Sequence, residues 1–246
     1  MTARRESPLG DDWIPTHQCT TQLRMDILSD LPFFKHLAQE AISRINHQFV
    51  ERGYETGDFI YMAGREAQRL FVVADGYVKV MRHTLQGKDV MLDILAQGEF
   101  FGSIASANSD SYPETAQAQT PVCTLSISSS AFRAILEEHP TTALKVMDIM
   151  AARLQEAQEM VRQLSAYSVK QRIAHVLLRL GDKAGEDRDV GRLIQLPLSR
   201  SDLASLAGTT PATASRVMSA WQEQEVIRSG RKWVAIRDQD FLSSLA

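Results

Sequence analysis

The chain has 246 residues, 44% hydrophobic and 23% charged: enough apolar content for one large core or two ordinary ones, and too much for a disordered chain. No apolar run reaches the roughly 18 residues that span a bilayer, and the first twenty residues lack the apolar segment of a secretory leader, so a cytoplasmic protein with no membrane contact is expected. Cys19 and Cys123, the two cysteines, make no disulfide framework, and the net charge of −3 hides an asymmetry: from Lys170 onward there are 12 basic against 9 acidic residues, whereas residues 1–169 hold 15 against 21.

Residues 1–25 read as a polar tail, either flexible or folded back with Trp13 as its anchor. Apolar spacing is helical from Ala41 to Val50. Short β-rich runs follow: "DFIYMA", "RLFVVAD", "YVKVMRH", "DVMLDIL", "TAQAQ" and "VCTLSIS". Glycines stand at or near their joints, and Gly76, Gly87 and Gly98 recur every 11 residues. Short strands at that spacing predict a β-roll, sandwich or barrel over 26–139.

Helical periodicity then takes over. "SSSAFRAILEEH" predicts a short helix ending near Pro140, and residues 140–168 a long one free of Gly. Ala143, Met147, Met150, Leu154, Ala157, Val161 and Leu164 are spaced 4, 3, 4, 3, 4, 3, an a/d seam. Such a stripe either packs within the chain or pairs two chains. Its length, between two other modules, favours a parallel coiled coil that holds a homodimer. Leu144, Val146 and Ile149 lie beside the seam, where they could pack onto the β domain.

Residues 169–246 form a third unit. "SVKQRIAHVLLRLGDKAG" predicts a helix with Ile173, Val176, Leu177 and Leu180 on one face; "EDRDVGR" reads as a charged loop and "LIQLPL" as a short extended stretch. Ser199 followed by Asp202 has the form of a capping box, with Leu203, Leu206 and Ala207 facing inward. Gly208 can end that helix with a positive φ. Thr210 is a good N-cap for the next, and Pro211 suits its first position. In this second helix Ala214, Val217, Met218 and Trp221 make the inward stripe, while Ala212, Ser215 and Arg216 share the other face. Two short helices joined by a tight Gly-containing turn are a helix-turn-helix, whose second helix enters the major groove. "VIRSGRKWVAIRD" then predicts a β-hairpin turning at Ser229-Gly230, with Arg228, Arg231 and Lys232 placed for phosphates.

Three segments in this order, "ADGYVKVMRHTLQGKDVMLDILAQGEFFG", "ETAQAQTPVCTLSIS" and "LSRSDLASLAGTTPATASRVMSAWQEQEVI", with the long helix between the second and third, resemble the CRP/FNR family of bacterial transcription regulators from about Leu31 to Ile236. The resemblance implies an α+β chain with a cyclic-nucleotide-binding-like β-roll, a long dimerisation helix and a C-terminal winged helix-turn-helix. It implies a homodimer on a two-fold symmetric operator in double-stranded DNA, with RNA polymerase as a further partner and no enzymatic activity. Family recognition helices offer a Glu, then a Ser or Gly, then an Arg to base edges. Ser215 and Arg216 match the last two, whereas Ala212 stands at the Glu position. Arg216 can make the bidentate contact to guanine, but Ala212 cannot accept from cytosine and could only touch a thymine methyl. Thr210, Thr213 and Arg200 are candidate phosphate contacts, joined by Arg231 and Lys232 of the wing.

The effector site departs further. Cyclic-nucleotide-binding relatives carry Gly-Glu near the "GEFFG" turn and Arg-Ser or Arg-Thr a little later. Here the corresponding pairs are Gly102-Ser103 and Glu114-Thr115. An acid where a cyclic phosphate needs its counter-ion repels it, so control by cyclic AMP or cyclic GMP is not expected. Two cysteines exclude a four-Cys iron–sulfur cluster within one subunit. Cys123 reads as a small buried hydrophobe and Cys19 as a tail thiol, redox-responsive or inert. The six histidines are scattered, without a haem-attachment motif. What remains is an unidentified small molecule, facing Leu154 and Gln158 of the long helix, or no effector at all; Gln158 either ties a ligand to the dimer interface or sits in solvent. A metal oxygenase on the β-roll would need clustered His and carboxylates, and no His-x-His pair occurs. A ligand-binding subunit without DNA contact is at odds with the helix-turn-helix face and the wing.

Overall fold

The computed structural model describes residues 20–84, 89–103 and 111–246. The chain divides into two compact units, one reaching Ala157 (apart from Val90–Leu92, which cluster with the other) and one running from Gln158 to Ala246.

In chain order the first unit contains α1 (Thr21–Asp30), α2 (Gln39–Asn46), β1 (Val50–Tyr54), β2 (Phe59–Tyr61), β3 (Arg69–Asp75), β4 (Val78–His83), β5 (Asp89–Leu95), β6 (Phe100–Gly102), β7 (Thr115–Ala118), β8 (Val122–Ser128) and α3 (Ser129–Glu138). The long helix α4 (Pro140–Ala166) follows. Two four-stranded sheets, ordered β1-β8-β3-β6 and β2-β7-β4-β5, make the roll. Strand β3 carries the two-residue period that builds it. Leu70, Val72 and Ala74 join a core under the helices, while Phe71 and Val73 join the core between the sheets. Strand β6 divides in the same way, Phe100 to one core and Phe101 to the other. Each such buried Leu, Val or Phe side chain stabilises the fold by about 1.5–3 kcal/mol.

Three expectations change here. The stretch Ala41–Val50 is helical only to Asn46, and Val50 opens strand β1, paired to β8. The polar tail expected over 1–25 overlaps α1, whose helix starts at Thr21 on a Thr20 cap. Arg24 fastens that helix by donating to the carbonyls of Asn46 and Phe49, at 3.0 and 2.9 Å. Cys123 is fully buried as expected, but it is disulfide-bonded rather than a free thiol. Trp13, Cys19 and the rest of that tail lie outside the described residues.

Helix α4 turns a stripe of Thr142, Val146, Ile149, Met150 and Arg153 toward the roll. Thr142 and Val146 are buried, and Ile149 and Met150 pack on the helix-side core. Arg153 stacks 4.1 Å over the Phe100 ring and donates to the Phe100 carbonyl at 2.8 Å. Leu144, expected against the roll, is instead 60% exposed, because two residues from Thr142 lie roughly 200° around a helix of 3.6 residues per turn. Met147, Leu154 and Val161 are exposed by 66, 60 and 64%. The outward apolar stripe therefore starts at Leu144, and Met150 leans inward from it.

The second unit contains α5 (Val169–Ala184), β9 (Gly185–Arg188), β10 (Gly191–Ile194), α6 (Arg200–Leu206), α7 (Pro211–Glu223), β11 (Ile227–Gly230), β12 (Trp233–Ile236) and α8 (Gln239–Leu245). Ser168 and Gln171 close a capping box on α5, and Ile173, Val176, Leu177 and Leu180 are all buried. One sheet runs β11-β12-β10-β9. The charged "loop" supplies β9: an edge strand needs only backbone pairing, so Glu186, Asp187 and Arg188 form it while facing solvent.

Candidate nucleic-acid interface and effector region

Helix α6 begins where the sequence placed it. The Ser199 hydroxyl accepts from the Asp202 amide at 3.0 Å, and the Asp202 carboxylate accepts from the Ser199 amide at 2.9 Å. Its end is set by Gly208 at φ +58°, a left-handed conformation that residues with a β-carbon rarely adopt, beside the Leu164 side chain. Arg172 of α5 fixes the same turn: it donates to the carbonyls of Ala207 and Tyr167, both at 2.8 Å, and of Gly208 at 3.2 Å. One guanidinium thus satisfies the orphan acceptors at two helix ends.

Helix α7 starts on Thr210, whose hydroxyl accepts from the Thr213 amide at 3.2 Å. Ala214, Val217, Met218 and Trp221 are buried, as their spacing predicts. Ala212 and Arg216 are exposed, with Thr213 and Ser215 half-buried. The Thr210 hydroxyl donates to Thr213 Oγ1 at 3.0 Å, and Arg216 Nη2 donates to the same oxygen at 3.3 Å.

Arg200 does not share this open setting. It is half-buried and donates to Ser229 Oγ at 3.1 Å, and that hydroxyl donates to Gln222 Oε1 at 2.8 Å. Burial lowers the Arg200 pKa, with the guanidinium still charged at neutral pH. The residue braces α6 against both the wing and the C-terminal half of α7. Sequence reasoning missed Ser229 and Gln222, since nothing local marks a hydroxyl whose partners lie 29 and 7 residues away.

The wing turns two residues later than expected. Gly230 pairs with Trp233 as the last ladder step, leaving Arg231 and Lys232 at the tip, both exposed, with Lys232 at φ +72°. Gly230 serves a different need. A β-carbon there would fall 2.5 Å from Trp233 Nε1, so the glycine makes room for the buried indole. Behind the wing a cleft of about 310 Å³ is lined by Gln222, Glu225, Arg228, Trp233 and Arg237, among others. Glu225 and Arg237 are paired across it at 3.2 Å.

In the roll, Gly102 and Glu114 come together around one phenol that the sequence did not flag. The Tyr61 hydroxyl donates to Glu114 Oε1 at 3.3 Å and also meets the Gly102 backbone. Tyr61 stacks on Tyr112 with ring centroids 3.8 Å apart, and Phe71 and Phe101 close the block. Burial raises the Glu114 pKa above the ordinary carboxylate value, against smaller opposing contributions from Tyr61 and Arg82. It also holds the Tyr61 hydroxyl far above its usual range. Thr115 is fully buried and accepts from the Ala63 amide at 3.0 Å. Ser103 follows β6, its amide donating to the Arg69 carbonyl at 3.0 Å. Leu154 and Gln158 are exposed on α4. No group of three or more His, Cys, Asp or Glu converges among the described residues, and no described helix is long and apolar enough to cross a membrane.

Comparison with known proteins matches both units. Residues 51–139 fit the cyclic nucleotide-binding domain, and residues 171–245 fit the Crp-like helix-turn-helix domain. The chain is 31% identical to the cyclic AMP receptor protein of Thermus thermophilus over 87% of this chain and 96% of that protein. It is 30% identical to the probable transcriptional regulator flp of Lacticaseibacillus casei over 94% and 99%. The solved structure of FixK2 from Bradyrhizobium japonicum shares the fold, with a TM-score of 0.72 at 22% identity over 80% of this chain and 96% of that one. A chain that carries both domains in order, and aligns with such regulators almost from end to end, belongs to the CRP/FNR family: it is a transcriptional regulator with a helix-turn-helix DNA-binding domain, and not an enzyme.

Proposed function

We propose that the chain acts in the cytoplasm as a homodimer on a two-fold symmetric operator, in which Arg216 reads guanine. The observation that carries this is helix α7, which buries Ala214, Val217, Met218 and Trp221 and leaves Ala212 and Arg216 open on the opposite face. Arg231 and Lys232 at the wing tip supply phosphate contacts. The dimer forms along the exposed stripe of Met147, Leu154, Ala157 and Val161, with Met150 and Leu164 at its margins. Met147, Leu154 and Val161 on one helix face, with Leu144 and Leu164 beside them, favour burial against a second copy. Dimer symmetry then sets two recognition helices about 34 Å apart, one turn of DNA. RNA polymerase is the second partner.

The Thermus relative is named for cyclic AMP, but the residues here do not fit a cyclic phosphate. Glu114 stands where a cation is needed, its carboxylate half-buried and engaged by Tyr61. A phosphate beside it would meet a like charge in a desolvated site. The roll, with Gly102, Ser103, Glu114 and Thr115, takes a neutral or cationic small molecule, or the regulator binds DNA without one.

The test is selection from a genomic DNA library by purified protein without added ligand, in reducing buffer, with the bound fragments sequenced. Enrichment of an inverted repeat containing a guanine in each half-site is expected. Only weak, salt-sensitive, sequence-blind binding would overturn ligand-independent recognition and leave an effector as the requirement. Calorimetry with cyclic AMP should show no binding.

A further inference from the structure

We infer that Thr213 is a positioning residue for Arg216, and that its single hydroxyl couples the phosphate contact to base reading. The inference rests on the proposal that Arg216 reads a base. A hydroxyl offers one O–H and two lone pairs. Two donors already point at Thr213 Oγ1: the Thr210 hydroxyl at 3.0 Å and Arg216 Nη2 at 3.3 Å. Both lone pairs are occupied, so what Thr213 has left is one proton to donate. On DNA the matching group is an acceptor, and the acceptor beside the start of a recognition helix is a phosphate oxygen.

The same count sets Thr210 apart. Its oxygen accepts from the Thr213 amide at 3.2 Å and its proton goes to Thr213 Oγ1. Thr210 therefore caps the helix and orients Thr213, and has no proton for a phosphate. Arg216 keeps four of its five N–H donors for DNA. A guanidinium on a long side chain loses rotamer freedom when it docks, and a prior tether lowers that loss. On the N-terminal side, toward which helical side chains lean, residue 212 is the other position from which a side chain could hold Arg216, since i and i+4 are neighbours on a helix. Alanine there holds nothing, so the tether falls to Thr213 at i−3.

The experiment uses the full-length protein and duplexes carrying the selected operator, each base pair of the half-site replaced in turn, plus an unrelated duplex of equal length. Wild type, Thr213→Val, Thr213→Ser, Arg216→Ala and the Thr213→Val/Arg216→Ala double variant are compared, and melting curves confirm that each is folded. Arg216→Ala should abolish discrimination at one guanine position, which locates the base pair it reads. Thr213→Val should weaken binding to every duplex and, in addition, reduce discrimination at that same base pair by roughly three- to tenfold, leaving the others unchanged. Thr213→Ser should keep both properties, and the double variant should discriminate no worse than Arg216→Ala alone. A Thr213→Val that weakens all duplexes by one common factor would reduce Thr213 to a phosphate contact and overturn the coupling. So would a Thr213→Ser that behaves like Thr213→Val. If Arg216→Ala leaves every base pair discriminated as before, it is the underlying reading of Arg216 that fails, and that result is visible independently of the Thr213 variants.

Discussion

The start of α7 and the Tyr61–Glu114 cluster of the roll treat their polar groups in opposite ways. At α7 the side chains Thr210, Thr213 and Arg216 bond to one another at the helix surface, Thr210 and Arg216 exposed and Thr213 half-buried. In the roll the Glu114 carboxylate is half-buried, and its partner Tyr61 lies inside a block of four aromatic rings. The first arrangement suits binding of a polyanion with little reorganisation. The second, in the proposed effector site, sets a carboxylate against an anion. The difference underlies the proposal that this roll, although it matches the cyclic nucleotide-binding domain, does not take a cyclic phosphate: an acid in place of a base inverts the local field.

Breaking the dimer should have the largest effect on the DNA side of this contrast. Leu154→Glu puts two carboxylates into the proposed seam. The protein should sediment as a monomer, and operator affinity should fall by roughly 100-fold or more through lost bivalency; an intact dimer would refute the seam. Next comes Arg216→Ala, expected to lower affinity by about 1–3 kcal/mol per half-site, seen in fluorescence anisotropy on the selected operator. Gly230→Ala drives a β-carbon into the Trp233 ring. It should lower stability by about 1–3 kcal/mol and melt the second unit several degrees earlier by calorimetry.

Two further substitutions have smaller expected effects. Ser229→Ala strips a shared partner from Arg200 and Gln222, and a loss of about 1 kcal/mol is expected in chemical denaturation. Glu114→Gln tests the roll. Burial raises the Glu114 pKa in the folded chain, so the native state binds this proton more tightly than the unfolded state does. The stability associated with that proton is present at low pH and lost as pH rises through the folded pKa. Glutamine has no such penalty and can still accept from Tyr61. The variant should therefore melt about 1–3 °C above wild type at pH 7, with the gap closing as pH falls into the carboxylate range. A gap that widens on acidification would reverse the assignment.

Much of the fold is legible in the sequence. The runs "RLFVVAD", "DVMLDIL" and "VCTLSIS" became β3, β5 and β8 without change. The caps at Ser199 and Thr210 and the positive φ of Gly208 were readable too, since each depends on residues within a turn of one another. Strand β6, "FFG", was too short to show a period. Strand β9 was missed because its side chains are charged, and an edge strand is made by backbone pairing. Of the candidate site residues, the exposure of Arg216 follows from its place on a helix face. Tyr61 was not, because its partner Glu114 lies 53 residues away.

Sequence alone determined the order of roll, long helix and winged unit, the inward stripes of α5 and α7, and the open face carrying Ala212 and Arg216. All of these follow from periodicity, capping chemistry or side-chain charge, which act over a few residues. The tertiary structure decided that Arg200 turns inward to Ser229, that Met150 leans on the roll while Leu144 does not, that the wing turns at Arg231-Lys232 beneath the space Gly230 leaves for Trp233, and that Tyr61 closes over Glu114. These depend on which distant groups meet, and packing within a close-filled interior sets that, not local propensity.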